Sequence, residues 1–179
     1  MLFRSAISAQ SIVHSISDEV NDALNRGVNI QVLLAKPESK FVEEVGQMEA
    51  YGGRAPEDRP REIKEEIVRN KNIFYQYMSA AAKGYEKKSR ARNKAGGELQ
   101  LGRISVRYFS TQLRANLVII DEKEAWYTPY LSPRKSRQSA SFHLLRRAGL
   151  TQDLISRAIE HFDTIWKRAE NPKILNGWG

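Results

Sequence analysis

The sequence predicts an α/β fold, a single mixed β-sheet flanked by helices, within one domain spanning the chain. Three observations lead there. An amphipathic helical stretch ends at Gly27 and runs straight into a short β-branched apolar segment. Beyond residue 102 the apolar period changes from 3.6 to 2 and holds through several short segments, and a strongly amphipathic stretch then closes the chain. With 179 residues, 41% of them hydrophobic, the chain is long enough to bury a substantial core.

In order, Ile12, Val13, Ile16, Val20, Ala23 and Leu24 keep helical spacing, so a helix is expected from about Ala6 to Asn25, closed by Arg26 and a C′ glycine at Gly27. The acid-poor, serine-containing start resembles an organellar targeting segment, but the helical period running on from it assigns it to the fold. Val28 to Ala35, bounded by Gly27 and Pro37, reads as a buried strand. Helix, glycine and strand make the second half of a βαβ unit. Its first strand is expected to be absent or very short, as in a fragment of a longer protein. Pro37 to Tyr51 predicts a short helix. Pro60 at N1 and the acids Glu62, Glu65 and Glu66 open a long helix to about Lys88, within a helical insertion covering residues 52–100. Its apolar positions Ile63, Ile67, Ile73, Phe74, Tyr77, Met78 and Ala81 do not fall on one stripe and are expected to include a core face and a partner face.

Arg103 to Phe109 alternates as a half-buried strand, and Leu117 to Ile120 ends at the turn Asp121-Glu122-Lys123. Ala125 to Tyr130 is the expected hairpin partner, with Pro129 marking an early end or an edge. Ser139 to Leu145 completes a four-strand meander. Leu154, Ile155, Ala158, Ile159, Phe162, Ile165 and Trp166 then place one face of a closing helix, Gln152 to Ala169, on the sheet. Residues 171–179 form a tail.

Several classes are excluded by composition. No apolar run approaches the roughly 18 residues of a membrane span, so no membrane partner is expected. Without cysteine there is no disulfide, thiolate metal site or thiol nucleophile, and only three histidines, His14, His143 and His161, argue against a histidine metal cage. No metal or cofactor is expected. A reducing, cytoplasmic compartment suits the composition.

The net charge of +8 is unevenly spread. Lys83 to Arg147 carries 15 basic and 5 acidic residues, a net of +10, which points to an anionic partner. Lys87, Lys88, Arg90, Arg92 and Lys94 run into Gly96-Gly97 as a basic loop, and Arg134, Lys135 and Arg137 form a second group in LSPRKSRQS. Either group alone also suits an ordinary solvated surface. Trp126, Tyr127 and Tyr130 lie beside the second group, as a stacking surface for bases would, although core packing is the expectation for two of the three.

The segment GVNIQVLLAKPES resembles a strand of the phospholipase D superfamily, and RYFSTQLRANLVIIDEKEAWYTPYLS is similar to its His-x-Lys-x4-Asp hairpin, followed by AIEHFDTIWKRA as a closing helix. The resemblance implies a phospholipase D-like half, and a homodimer in which two motifs face each other near the two-fold axis. Laid on this chain, the motif falls on Arg114, Asn116 and Asp121, so only its acid is kept. A guanidinium stays protonated and offers no lone pair to attack phosphorus, which excludes the family's histidine chemistry at Arg114. Arg114 and Asn116 keep the capacity to bind phosphate or carboxylate. Thr128, Tyr130 and Ser132 stand near the family's Gly-Ser-x-Asn-like stretch as further ligand-binding candidates.

Asp121 before Glu122 equally suits a plain turn. His143 is the one candidate for a replacement nucleophile or acid, without an orienting carboxylate among its sequence neighbours. His14 with Asp18, and His161, suit solvated helix faces. The leading expectation is a non-catalytic binding or sensor module, part of a larger regulatory or defence protein, that recognises a nucleotide, nucleic acid or other phosphate-containing ligand. The alternatives are a nuclease or phosphodiesterase using His143, or a metal held by Asp121 and Glu124, and a dimerisation scaffold whose basic loop binds nucleic acid without sequence preference.

Overall fold

A computed structural model describes residues 2–6, 17–50, 58–92, 101–111, 115–129, 140–146 and 153–172. Its described elements are β1 (Leu2–Ala6), α1 (Ser17–Asn25), β2 (Asn29–Ala35), α2 (Lys40–Ala50), α3 (Asp58–Arg92), β3 (Ile104–Phe109), β4 (Ala115–Ile120), β5 (Glu124–Pro129), β6 (Phe142–Leu145) and α4 (Leu154–Arg168). The strands form one mixed sheet in the order β3-β2-β1-β4-β5-β6, so the expected fold class holds. The β1-β2 and β2-β3 pairs are parallel, and β1-β4, β4-β5 and β5-β6 are antiparallel.

Two expectations are corrected. The βαβ unit has its first strand: Leu2–Ala6 is β1, at the centre of the sheet, where a helix from Ala6 was expected to begin the fold. Residues 7–16, which include His14, lie outside the described residues. The meander has three strands, because β3 crosses over to pair in parallel with β2 on the far side of β1. Apolar alternation marks a strand but carries no information about its neighbour.

Local chemistry explains the boundaries. At the end of α1, Gly27 with φ 81° takes the left-handed conformation, while Gly27 N–H donates to Leu24 O and Val28 N–H to Ala23 O, both at 3.0 Å, as in a Schellman cap. Asp153 caps α4 by accepting from Ser156 N–H at 2.7 Å. That bond, then the Ser156 hydroxyl and Arg146, hold the Asp153 carboxyl below its usual range. In the β4–β5 turn Lys123 N–H donates to Ile120 O at 3.0 Å, and Asp121 and Glu122 both have positive φ, 50° and 58°, the handedness of tight hairpin turns. Pro129 is the last residue of β5, which is flanked by β4 and β6, so it ends the strand without marking an edge.

Directly paired residues share a face of the sheet, which fixes the layers. Arg107 donates from Nη1 to Trp166 O at 2.8 Å and lies 4.6 Å from the indole centroid, so α4 covers the face of Leu33, Arg107, Leu117, Ile119 and Ala125. Tyr108 points the opposite way. Burial, then Glu38 and Tyr75, push its hydroxyl up to about 12. α3 packs on β2 and β3 over the face of Ile30, Val32, Leu34, Ile104 and Val106, all buried. The buried residues Ile63, Ile67, Asn70, Phe74 and Ala81 follow one another by three, four or seven along α3, with Ile73 buried beside Phe74 and Tyr77 and Met78 half-buried, so together they form one broad face. The expected division of that helix into two apolar faces is therefore not observed over this stretch. α1 and α2 pack on α3, where Gly46 sits so close to Pro60 that a Cβ there would lie 2.6 Å from Pro60 Cγ.

After α4 the chain turns back to β3, where Tyr108 and Glu170 exchange two backbone hydrogen bonds, 2.7 and 2.8 Å. Lys36 Nζ donates to Glu170 Oε2 at 2.7 Å, and this contact raises the Lys36 ammonium above its usual value. Among the described residues no helix is long and apolar enough to cross a membrane.

Candidate functional site

The helix-covered faces are largely apolar, whereas the open part of the sheet sets polar side chains among apolar ones. On the side of the sheet that α3 covers at β2 and β3, the half made by β4, β5 and β6 presents three rows of side chains read from the strand register. The first row is Asn116, Thr128 and Ser141. Asn116 is directly opposite Thr128, and Thr128 Oγ1 is 2.7 Å from Ser141 Oγ. The second row is Val118, Trp126 and His143, and the third is Ile120, Glu124 and Leu145. Trp126 is 37% exposed and the His143 side chain 44%, so this half-face is open to solvent.

Within it His143 is held from two sides. Its ring stacks on Trp126 with centroids 4.2 Å apart and planes at 11°. Its Nε2 is 3.1 Å from Glu124 Oε2, and because an ionised carboxylate only accepts, Nε2 carries the hydrogen. The orienting carboxylate that His143 lacks among its sequence neighbours thus arrives across the β5–β6 ladder. The hairpin register would reveal it, but the long connection between Pro129 and Phe142 leaves that register open in the sequence.

Trp126 and Tyr127 are both exposed, on opposite faces, so core packing, expected for two of the three hairpin aromatics, applies to neither. Tyr127 pairs instead with exposed Phe142 on the α4 side. Asn116 and Thr128, both ligand candidates, come together. Asp121 does not join them: it is in the turn at the other end of β4, five residues and about 16 Å along an extended strand from Asn116. Lys87 and Lys88 are in the last turns of α3, at the expected helix end, and the helix runs on through Arg90 and Arg92, where the basic loop was expected to begin. Arg114, Tyr130, Ser132, Lys94, Arg134, Lys135 and Arg137 lie outside the described residues. His161 is exposed on α4, as its helix-face reading expects.

Among the described residues no group of three or more His, Asp or Glu side chains could hold a metal ion. Glu124 engages His143, which leaves the expected metal pairing of Asp121 with Glu124 without support. What the arrangement offers is a hydroxyl and amide row beside a ring stack. The first can hydrogen-bond an anion or a polar ligand, and the second offers a flat apolar surface. No protein-family model matches the chain, and no curated protein matches it.

Proposed function

We propose that this chain is a non-catalytic, phospholipase D-like module that binds a phosphate-containing ligand on the open half-face of β4, β5 and β6. The observation that carries this reading is the polar row Asn116, Thr128 and Ser141, set side by side on three adjacent strands inside the stretch of net charge +10. A solvent-facing row of amide and hydroxyl groups next to excess positive charge suits phosphate oxygens, which accept hydrogen bonds and attract cations. Arg114, two residues before Asn116 in the sequence, carries the guanidinium that suits bidentate recognition of phosphate. The resemblance to the phospholipase D superfamily supports the same region and adds a homodimer, tested by the mass of the chain in solution.

Labelled single- and double-stranded DNA and RNA, at low and moderate salt, test this directly. Binding without cleavage, weakened at least about tenfold by Arg114→Ala or Asn116→Ala, is the expected result. Equal loss only on neutralising Lys87, Lys88, Arg90 and Arg92, with a steep salt dependence and no response to Asn116→Ala, would move the activity to the basic segment. A second reading, a nuclease, is favoured by one observation, the carboxylate that orients His143 as in general-base pairs. Cleavage in the same tubes, stopped by His143→Ala, would establish it in place of the first.

A further inference from the structure

Trp126 and His143 are direct cross-strand partners, and their rings are 4.2 Å apart and nearly parallel. Residues paired across strands have Cβ atoms about 4.5–5.5 Å apart, so the ring stack runs across the sheet, along the direction from β5 to β6. Because β6 is the last strand, the outer face of the His143 imidazole looks past the sheet edge. A further flat ring can join the stack there without displacing a described helix or strand.

The neighbouring rows give such a ring an orientation. One step along the strands on one side lies the polar row of Asn116, Thr128 and Ser141, about 7 Å away, two residues of extended chain. One step on the other side lies Glu124, whose carboxylate would repel a phosphate. An elongated ligand with a phosphate at one end and a flat base at the other can therefore lie in only one sense, phosphate on the hydroxyl row and base on the ring stack. Sequence adds a reason for a polymer over a single nucleotide. The connection from β5 to β6 carries Arg134, Lys135 and Arg137, and the net charge of +10 over residues 83–147 far exceeds what one phosphate needs.

We propose that the Trp126–His143 pair is a stacking platform for bases of single-stranded nucleic acid, with the phosphate of the stacked nucleotide on Asn116, Thr128 and Ser141. This rests on the phosphate-binding reading above and names its ligand class. Base stacking on an exposed aromatic tolerates any base, so affinity depends on having bases and little on their order.

The test compares a labelled single-stranded oligonucleotide with an abasic strand of equal length and charge, binding to the full chain and to Trp126→Ala, Trp126→Phe and His143→Ala at one salt concentration. The wild type is expected to prefer the base-bearing strand about 5- to 100-fold. Trp126→Ala should remove the preference while keeping the abasic affinity, and Trp126→Phe should retain most of it. Equal binding of the two strands by the wild type would overturn the platform and leave phosphate binding standing. A preference that survives both Trp126→Ala and His143→Ala would place the stacking elsewhere. Binding of neither strand would overturn the platform and any nucleic-acid ligand, and would restrict the phosphate-binding reading to a small phosphorylated compound.

Discussion

Phe162 shows how one side chain secures the layer that the open half-face depends on. It is 1% exposed, stacked on Trp166 with centroids 5.7 Å apart, and buried with Ile155 and Ile165 against the α4 side of the sheet. Phe162→Ala is expected to cost about 3–5 kcal/mol, read as a lower midpoint in urea unfolding. Asp153 contributes through charge instead. Its carboxyl is held below the usual value near 3.8 when folded, so its stabilisation is present above that value and is lost as pH falls through the lower, folded one. Asp153→Ala should therefore destabilise at neutral pH, and the gap to wild type in thermal unfolding should close below pH 4. A gap that stays constant down to pH 2 would contradict the assigned cap.

At the next scale, two connections make predictions of opposite sign. Gly46 touches Pro60, so Gly46→Ala forces α2 away from α3 and should cost about 1–3 kcal/mol by chemical denaturation. Glu122 has φ 58° with a Cβ, a conformation that costs an L residue about 1–2 kcal/mol, so Glu122→Gly should stabilise the β4–β5 hairpin, provided its other contacts are kept. A lower melting temperature for Glu122→Gly would count against that account. These same elements show what the sequence made legible. The Gly27 cap, the Asp121 turn and the α4 stripe announce themselves within a few residues, because glycine, turn residues and three-four spacing act locally. β1 did not: Leu2-Phe3-Arg4-Ser5-Ala6 has Arg and Ser in five residues, and the apolar positions after it continue a helical period. Nor did the place of β3, or the meeting of His143 with Glu124 nineteen residues away, since both depend on which strands become neighbours.

Across the whole molecule stability should be graded from the middle of the sheet outward. Val32, Leu33 and Leu34 of β2 are almost fully buried between β1 and β3, while β6 is a four-residue edge with three exposed side chains. Amide exchange is expected to be slowest in β2 and fastest, among the strands, in β6. Ending the chain after Arg168 removes the Tyr108–Glu170 backbone pair and the Lys36 ion pair, which uncovers the β3 edge. Light scattering should then report association beyond that of the full chain. The central position of β1 also has a meaning for how the protein is made. Leu2–Ala6 leaves the ribosome before every other described strand, yet its antiparallel neighbour, Ala115–Ile120, follows more than a hundred residues later. At about 5–20 residues per second, one side of β1 waits roughly 5–20 seconds for its partner. During synthesis the nascent chain carries an open strand edge at the future centre of its sheet, a natural point for a chaperone to act.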